Sequence, residues 1–186
     1  MTEYPKAIKF KYSWRKYQLR VLEELQEHLK DGHLHVVAPP GSGKTVLGLE
    51  VAIRINKPTL ILAPTRAIRN QWIQRFCELF LQTDTVPDWI SRDIRNPKFF
   101  TVVTYQGLHA ACNDQDAPEL GSNLELILKG LKSQKIGTIV VDEAHHLKNE
   151  WWHTLTHIKK KLKPTVVGLT ATPPYDVTPT EWQRYM

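Results

Sequence analysis

Five short runs of apolar and β-branched residues punctuate the chain: His33 to Ala38, Leu60 to Ala63, Phe99 to Thr104, Thr138 to Val141 and Thr165 to Leu169. The stretch Ile136 to Val141 is too apolar for a solvent-facing strand and reads as one buried on both faces. Helical periodicity falls between these runs. Gln18 to Leu29 repeats apolar residues at Leu19, Leu22, Leu25 and Leu29; Lys44 to Ile55 is amphipathic; Arg66 to Phe80 carries Ile68, Trp72, Phe76, Leu79 and Phe80 at three-to-four spacing. Strand and helix in alternation predict an α/β domain of three layers, a mostly parallel central sheet with helices on both faces. Gln82 to Lys98, with Pro87 and Pro97, and Asn113 to Ser122, with Pro118 and Gly121, read as loops or insertions. No internal repeat or low-complexity tract interrupts the pattern.

At 186 residues the chain fits one domain, able to bury about two-thirds of its unfolded surface without disulfides. Cys77 and Cys112 have no metal or disulfide spacing, as expected in a reducing cytoplasm. No apolar stretch approaches the roughly 20 residues of a membrane span, and Met1 to Lys11 lacks a signal peptide's apolar core. A soluble cytoplasmic protein is the expectation. The formal net charge of +6 suits a polyanionic partner and equally suits lysines that are simply solvated.

Two segments add chemistry to this frame. Ala38-Pro39-Pro40-Gly41-Ser42-Gly43-Lys44-Thr45 stands where a buried strand gives way to a helix, the context of a phosphate loop. Pro40, Gly41, Ser42 and Gly43 would bring backbone N–H groups around phosphates at a helix N-terminus. Lys44 would reach the β- and γ-phosphates, and the Thr45 hydroxyl would ligate Mg²⁺. The leading glycine of the usual loop is replaced by Ala38, and a glycine-rich loop with a lysine also arises by chance. The second segment, Asp142-Glu143-Ala144-His145, ends a buried strand, where open α/β sheets place their ligands. Asp142 would hold Mg²⁺ through water, and Glu143 would accept the proton of the water attacking the γ-phosphate. A surface turn rich in acid does not account for carboxylates at that place in a chain that also carries the loop.

With these residues in hand, the chain resembles the first RecA-like lobe of superfamily two helicases and translocases, phosphate-loop NTPases whose second motif here has the DEAH spelling. The resemblance runs in order along nearly the whole chain. Arg15-Lys16-Tyr17-Gln18 looks like the adenine-reading Q motif. Leu60 to Arg66 looks like motif Ia, Thr104-Tyr105-Gln106 like motif Ib, and Gly168-Leu169-Thr170-Ala171-Thr172-Pro173 like motif III. Motif III and Asn70-Gln71-Trp72 are similar to the branch of type III restriction subunits and excision-repair helicases. Asp142 to Asn149 also echoes chromatin-remodelling translocases, which usually have Gly-Thr in motif III. DEAD-box RNA helicases fit less well, because Met1 stands where their isolated upstream aromatic would fall, and DNA is therefore favoured over RNA as partner.

The resemblance implies ATP and Mg²⁺ as cofactors and a role for each motif residue. Gln18 would read the adenine edge with its amide. Arg15 or Tyr17 would stack on the base, unless both merely begin an amphipathic helix. Thr65, Arg66 and Thr104 would meet a nucleic-acid backbone just past strand ends, although Arg66 could equally be a solvated helix-start arginine. His145, Thr170 and Thr172 would couple the ATP site to the strand and to a second lobe; otherwise the two threonines are turn residues before Pro173 and Pro174. His145, His146, His153 and His157 cluster in sequence without completing a zinc pattern. Trp151 and Trp152 are packing residues or a surface for another domain, and Lys159 to Lys163 reads as a solvated helix end. The chain reaches fourteen residues past Thr172 and shows no second RecA-like lobe or arginine finger. Residues 1–186 are thus expected to be the helicase ATP-binding domain of a longer DNA helicase or translocase, able to bind ATP and nearly inactive alone. The rivals are a phosphate-loop ATPase that remodels protein rather than nucleic acid, and a nucleotide-binding interaction module without turnover.

Overall fold

A computed structural model describes residues 1–29, 31–37, 43–113 and 123–170. Pro40, Gly41, Ser42 and Thr172, all expected site residues, lie outside the described residues. Helix α1 (Lys16–His28) precedes β1 (His33–Val37), α2 (Lys44–Ile55), β2 (Thr59–Ala63) and α3 (Arg66–Phe76). Then come β3 (Ile90–Ser91), β4 (Phe100–Thr104), α4 (Tyr105–Asn113), α5 (Asn123–Ser133), β5 (Thr138–Asp142), α6 (Asn149–Leu162) and β6 (Thr165–Thr170). The six strands form one sheet in the order β1-β6-β5-β2-β4-β3, and every pairing is parallel.

Side-chain alternation divides the apolar runs between two cores. Ile61, Ala63, Val102, Val140, Val167 and Leu169 pack on the face covered by α1, α2 and α3. Their neighbours Leu60, Leu62, Val103, Ile139, Val141 and Val166 pack on the face covered by α4, α5 and α6. A strand buried on both sides needs apolar residues at consecutive positions, which is why these segments read as runs. On the first face an aromatic cluster fills the far end of the sheet. Phe76 stacks on Phe100 with centroids 4.3 Å apart, Tyr4 meets Phe99 edge-on at 4.8 Å, and the Tyr4 hydroxyl lies 2.6 Å from Thr59 Oγ1. Burial pushes the Tyr4 phenol well above its ordinary range, only partly offset by that hydrogen bond. The N-terminal segment is also sewn to the domain by Lys11 N–H donating to the Leu79 carbonyl, 2.7 Å away.

Two elements differ from the sequence expectation. The stretch from Gln82 to Lys98, which reads as loop, contains β3, an edge strand of two residues, too short for any periodicity to register. The helical pattern of Arg66 to Phe80 is a regular helix only to Phe76, and Cys77–Leu81 continue as a π-helical turn closed by Gln82 in the left-handed region. Among the described residues no helix is long and apolar enough to cross a membrane.

Candidate nucleotide site and strand path

Parallel topology sends every strand's carboxyl end to one edge of the sheet, and Lys44, Asp142, Glu143, Thr170, Thr65 and Thr104 among the expected site residues stand there. Gly43 adopts φ 82°, a left-handed conformation natural to glycine, and starts α2. A Cβ at Gly43 would stand 2.7 Å from Gln18 Nε2. Gln18 therefore lies against Gly43 at the start of α2. It is buried, and its Oε1 accepts the Arg15 N–H at 2.9 Å, so the amide fastens the start of α1. Arg15 itself is exposed.

Lys44 and Thr45 occupy the first turn of α2. The Lys44 ammonium lies 2.8 Å from Asp142 Oδ1 and also pairs with Glu143 Oε1. Burial works against the Lys44 charge, but the Asp142 charge and the hydrogen bonds Lys44 donates to both carboxylates outweigh it, and the pKa rises above the ordinary lysine value. Asp142 is the last residue of β5 and continues the alternation that points Val140 toward the α2 and α3 face. Its second oxygen accepts a hydrogen bond from Trp72 Nε1 of α3 at 2.9 Å, with both side chains buried. The indole reaches this carboxylate because α2 carries glycine at position 48. A Cβ there would meet Trp72 Cη2 and Leu169 Cδ1, each at 2.7 Å. In the sequence Trp72 reads as an apolar helix position and as part of the family-like Asn70-Gln71-Trp72, with no link to Asp142, and Gly48 carries no role.

Glu143 follows in the left-handed region, φ 52° and ψ 51°, a turn that ends the strand, begins the 3-10 helix Ala144–His146 and brings its side chain back to Lys44. His145 Nε2 lies 3.4 Å from Glu143 Oε2, and His145 Nδ1 lies 2.8 Å from Thr170 Oγ1 at the end of β6. A neutral ring protonated on Nε2 serves both contacts, with the threonine hydroxyl donating to Nδ1. Burial, reinforced by the neighbouring His146, holds the His145 pKa below its ordinary value. The chain of contacts Lys44, Glu143, His145, Thr170 thus connects three of the expected motifs.

The turn also brings Glu143, His145 and His146 together, with ligand atoms within 4.8 Å of one another. His153 and His157 do not join them and are exposed on α6. Trp151 is a packing residue, its ring 5.7 Å from Tyr105 with Lys148 Nζ over its face at 4.9 Å. Lys159 departs from the solvated helix end: it is partly buried, and burial lowers its pKa.

The expected strand-contact residues stand on the same edge, Thr65 and Arg66 one strand over from Asp142 and Thr104 two. Thr65 Oγ1 accepts the Ile68 N–H at 3.2 Å and caps α3; Thr104 Oγ1 accepts the Gly107 N–H at 2.9 Å at the start of α4. Each hydroxyl keeps its proton to donate outward. Ala63 and Thr104 are register partners on adjacent strands, so the two caps lie side by side, with the exposed Arg66 guanidinium next to them.

A parallel sheet ending in a lysine-carboxylate cluster at a helix N-terminus defines a RecA-like nucleotide-binding lobe. The chain belongs to the family described as type III restriction enzyme, res subunit, whose model matches residues 11–175. It is 31% identical over 169 residues to a protein of Sulfurisphaera tokodaii named DNA 3'-5' translocase XPB2, covering 91% of this chain and 33% of that one. It is 32% identical to a Haloarcula marismortui protein named putative DNA 3'-5' helicase Rad25, covering 74% of this chain and 19% of that protein. The chain therefore spans a third or less of the length of these relatives. Among solved structures, the UvsW helicase of bacteriophage T4 superposes with a TM-score of 0.62 at 13% identity, covering 100% of this chain and 61% of that one, a likeness of fold.

Proposed function

We propose that residues 1–186 form the ATP-binding lobe of a nucleic-acid-dependent ATPase, a DNA helicase or translocase working in a reducing cytoplasm with a second RecA-like lobe. The observation that carries this reading is the Lys44 ammonium held between Asp142 and Glu143, with His145 leading on to Thr170. Two carboxylates converging on one cation are hard oxygen donors of the kind Mg²⁺ takes, and their fit extends to the Thr45 hydroxyl one residue beyond Lys44. Asp142 and Thr45 would hold Mg²⁺, which would neutralise charge on the β- and γ-phosphates.

Lys44 is the switch in this arrangement. When its ammonium turns to the phosphates it releases Glu143, whose carboxylate is then free to take a proton from water attacking the γ-phosphate as the bond to the ADP oxygen breaks. Asp142 stays fixed throughout by Trp72. Gln18, beside Gly43, would sense the adenine edge, and Arg15, exposed at the same end of α1, would stack on the base. Pro40, Gly41 and Ser42 would supply the loop's N–H groups. Thr65, Arg66 and Thr104 would grip a nucleic-acid backbone, and His145, Thr170 and Thr172 would pass the nucleotide state to it. Transition-state charge would be neutralised by an arginine of the second lobe.

The test is steady-state ATP hydrolysis by a polypeptide containing both lobes, alone and with single-stranded DNA, duplex DNA or RNA. Stimulation by DNA above RNA is expected. Turnover indifferent to every nucleic acid would favour a protein-remodelling ATPase, and no turnover in any condition would favour an interaction module.

A further inference from the structure

The carboxyl edge of the sheet does not end at Thr104. Beyond β4 lies β3, and the residues that follow it, Arg92 to Arg95, turn back beside α3 and α4. They line a cavity of about 640 Å³ with Arg69, Val103, Thr104 and Gly107. Asp142 and Thr104 end β5 and β4, Thr65 follows β2, and Arg92 follows β3, which ends opposite Thr101 on β4.

The loop is built to hold its arginines. Ser91 is buried; its hydroxyl donates to the Asn96 carbonyl at 2.8 Å and accepts the Asp93 N–H at 3.0 Å. Ile94 is buried as an anchor between the two exposed arginines. Among the described residues Asp93 is the one acidic side chain lining the cavity, and its Oδ1 already accepts the Arg95 N–H at 2.9 Å. Arg69 stands one helical turn after Arg66 on α3 and so shares its face. Burial, then the like charges of Arg92 and Arg66, lower the Arg69 pKa, which records three guanidinium groups within electrostatic reach. Among the described residues no carboxylate forms an ion pair with Arg69 or Arg92. Cations gathered in a concave site at a cost in mutual repulsion suit an anionic ligand, and guanidinium groups suit phosphate in particular.

We propose that Arg69, Arg92 and Arg95 form a phosphodiester-binding cradle that continues the DNA backbone path beyond Arg66 and Thr104 to the β3 edge of the sheet. The proposal rests on the reading of this lobe as a nucleic-acid binder and adds a subsite outside all the motifs. The cradle meets backbone phosphate, so it strengthens binding without selecting sequence.

The experiment is a fluorescence anisotropy titration of a labelled oligothymidylate with the 186-residue chain at several salt concentrations. It compares the parent with Arg92→Ala/Arg95→Ala, Arg92→Lys/Arg95→Lys, Arg66→Ala, and a charge-matched Lys129→Ala/Lys132→Ala control on α5. Circular dichroism checks that each variant is folded. The alanine pair is expected to bind at least fivefold more weakly at low salt and to lower the log–log salt slope by about 0.7 for each phosphate that is no longer neutralised. The lysine pair should retain most of the slope, and the α5 control should change affinity less than twofold. Parent-like binding by the alanine pair while Arg66→Ala weakens it would overturn the cradle and leave the lobe's nucleic-acid role standing. An equal loss in the α5 control would reduce the effect to net charge and overturn the cradle as well. Absence of binding by the parent would overturn both. Calorimetry with inorganic phosphate separates the remaining source: phosphate binding abolished in the alanine pair, with oligonucleotide binding unchanged, would mark a small-anion site and refute the strand path.

Discussion

Replacing Trp72 with Phe removes one donor from the buried Asp142 carboxylate. The indole N–H lies 2.9 Å from Asp142 Oδ2, Trp72 is 0% exposed and Asp142 2%, so water cannot readily take the place of the missing bond. A hydrogen bond to a charged group contributes about 1.5–3 kcal/mol, and truncating the ring adds a packing loss that has to be separated from it. A double-mutant cycle with Asp142→Ala does this, since the cavity is common to both arms while the hydrogen bond exists in only one. Urea unfolding followed by far-ultraviolet circular dichroism should give a coupling of about 1.5–3 kcal/mol, which corresponds to about 3–12 °C in Tm for a domain of this size. Trp72→Phe should also weaken Mg²⁺-dependent nucleotide binding, because Asp142 loses the partner that fixes its orientation. A coupling below about 0.5 kcal/mol, or unchanged nucleotide binding, would refute the claim that Trp72 positions Asp142.

Gly48→Ala should destabilise the fold despite alanine's better helix propensity, since its Cβ would press on Trp72 and Leu169 at 2.7 Å; overpacking costs about 1–3 kcal/mol, and a raised Tm would contradict it. Stability should fall as pH drops below 6.5: His33, His35 and His145 have folded-state pKa values held below their unfolded ones chiefly by burial, so the unfolded chain binds protons first. Thermal melts from pH 7.5 to 5.5 check this, and a flat profile would show that these rings do not resist protonation. Glu143→Gln should keep nucleotide affinity within a few-fold while single-turnover hydrolysis in the two-lobe polypeptide drops by about 10²-fold or more, and parent-like hydrolysis would remove Glu143 from the role of base.

The layered fold is legible because double burial writes each central strand as an apolar run and the helices over the first face as amphipathic patterns, whereas α4 and α5 go unread. The sheet order is not. Nothing local says that β5 lies between β6 and β2, and the Trp72–Asp142 bond depends on α3 leaning over that neighbourhood. Lys44, Asp142 and Glu143 announce themselves through position, a loop entering a helix and acids leaving a buried strand. The capping by Thr65 carries a readable signal, a threonine directly before a helical pattern, that a strand-contact role alone does not use. Arg92 and Arg95 read as scattered charge because their meaning comes from Arg69, distant in sequence and brought near by β3, a strand of two residues.

The central claim, that Lys44 and the two carboxylates form a nucleotide-phosphate site, meets its most direct test in calorimetric titration of the chain with ATP, with and without Mg²⁺, for the parent and Lys44→Ala. The account predicts Mg²⁺-dependent binding by the parent and a loss of at least tenfold in the variant, with the fold of both verified by circular dichroism. Equal affinity in the two proteins would contradict it.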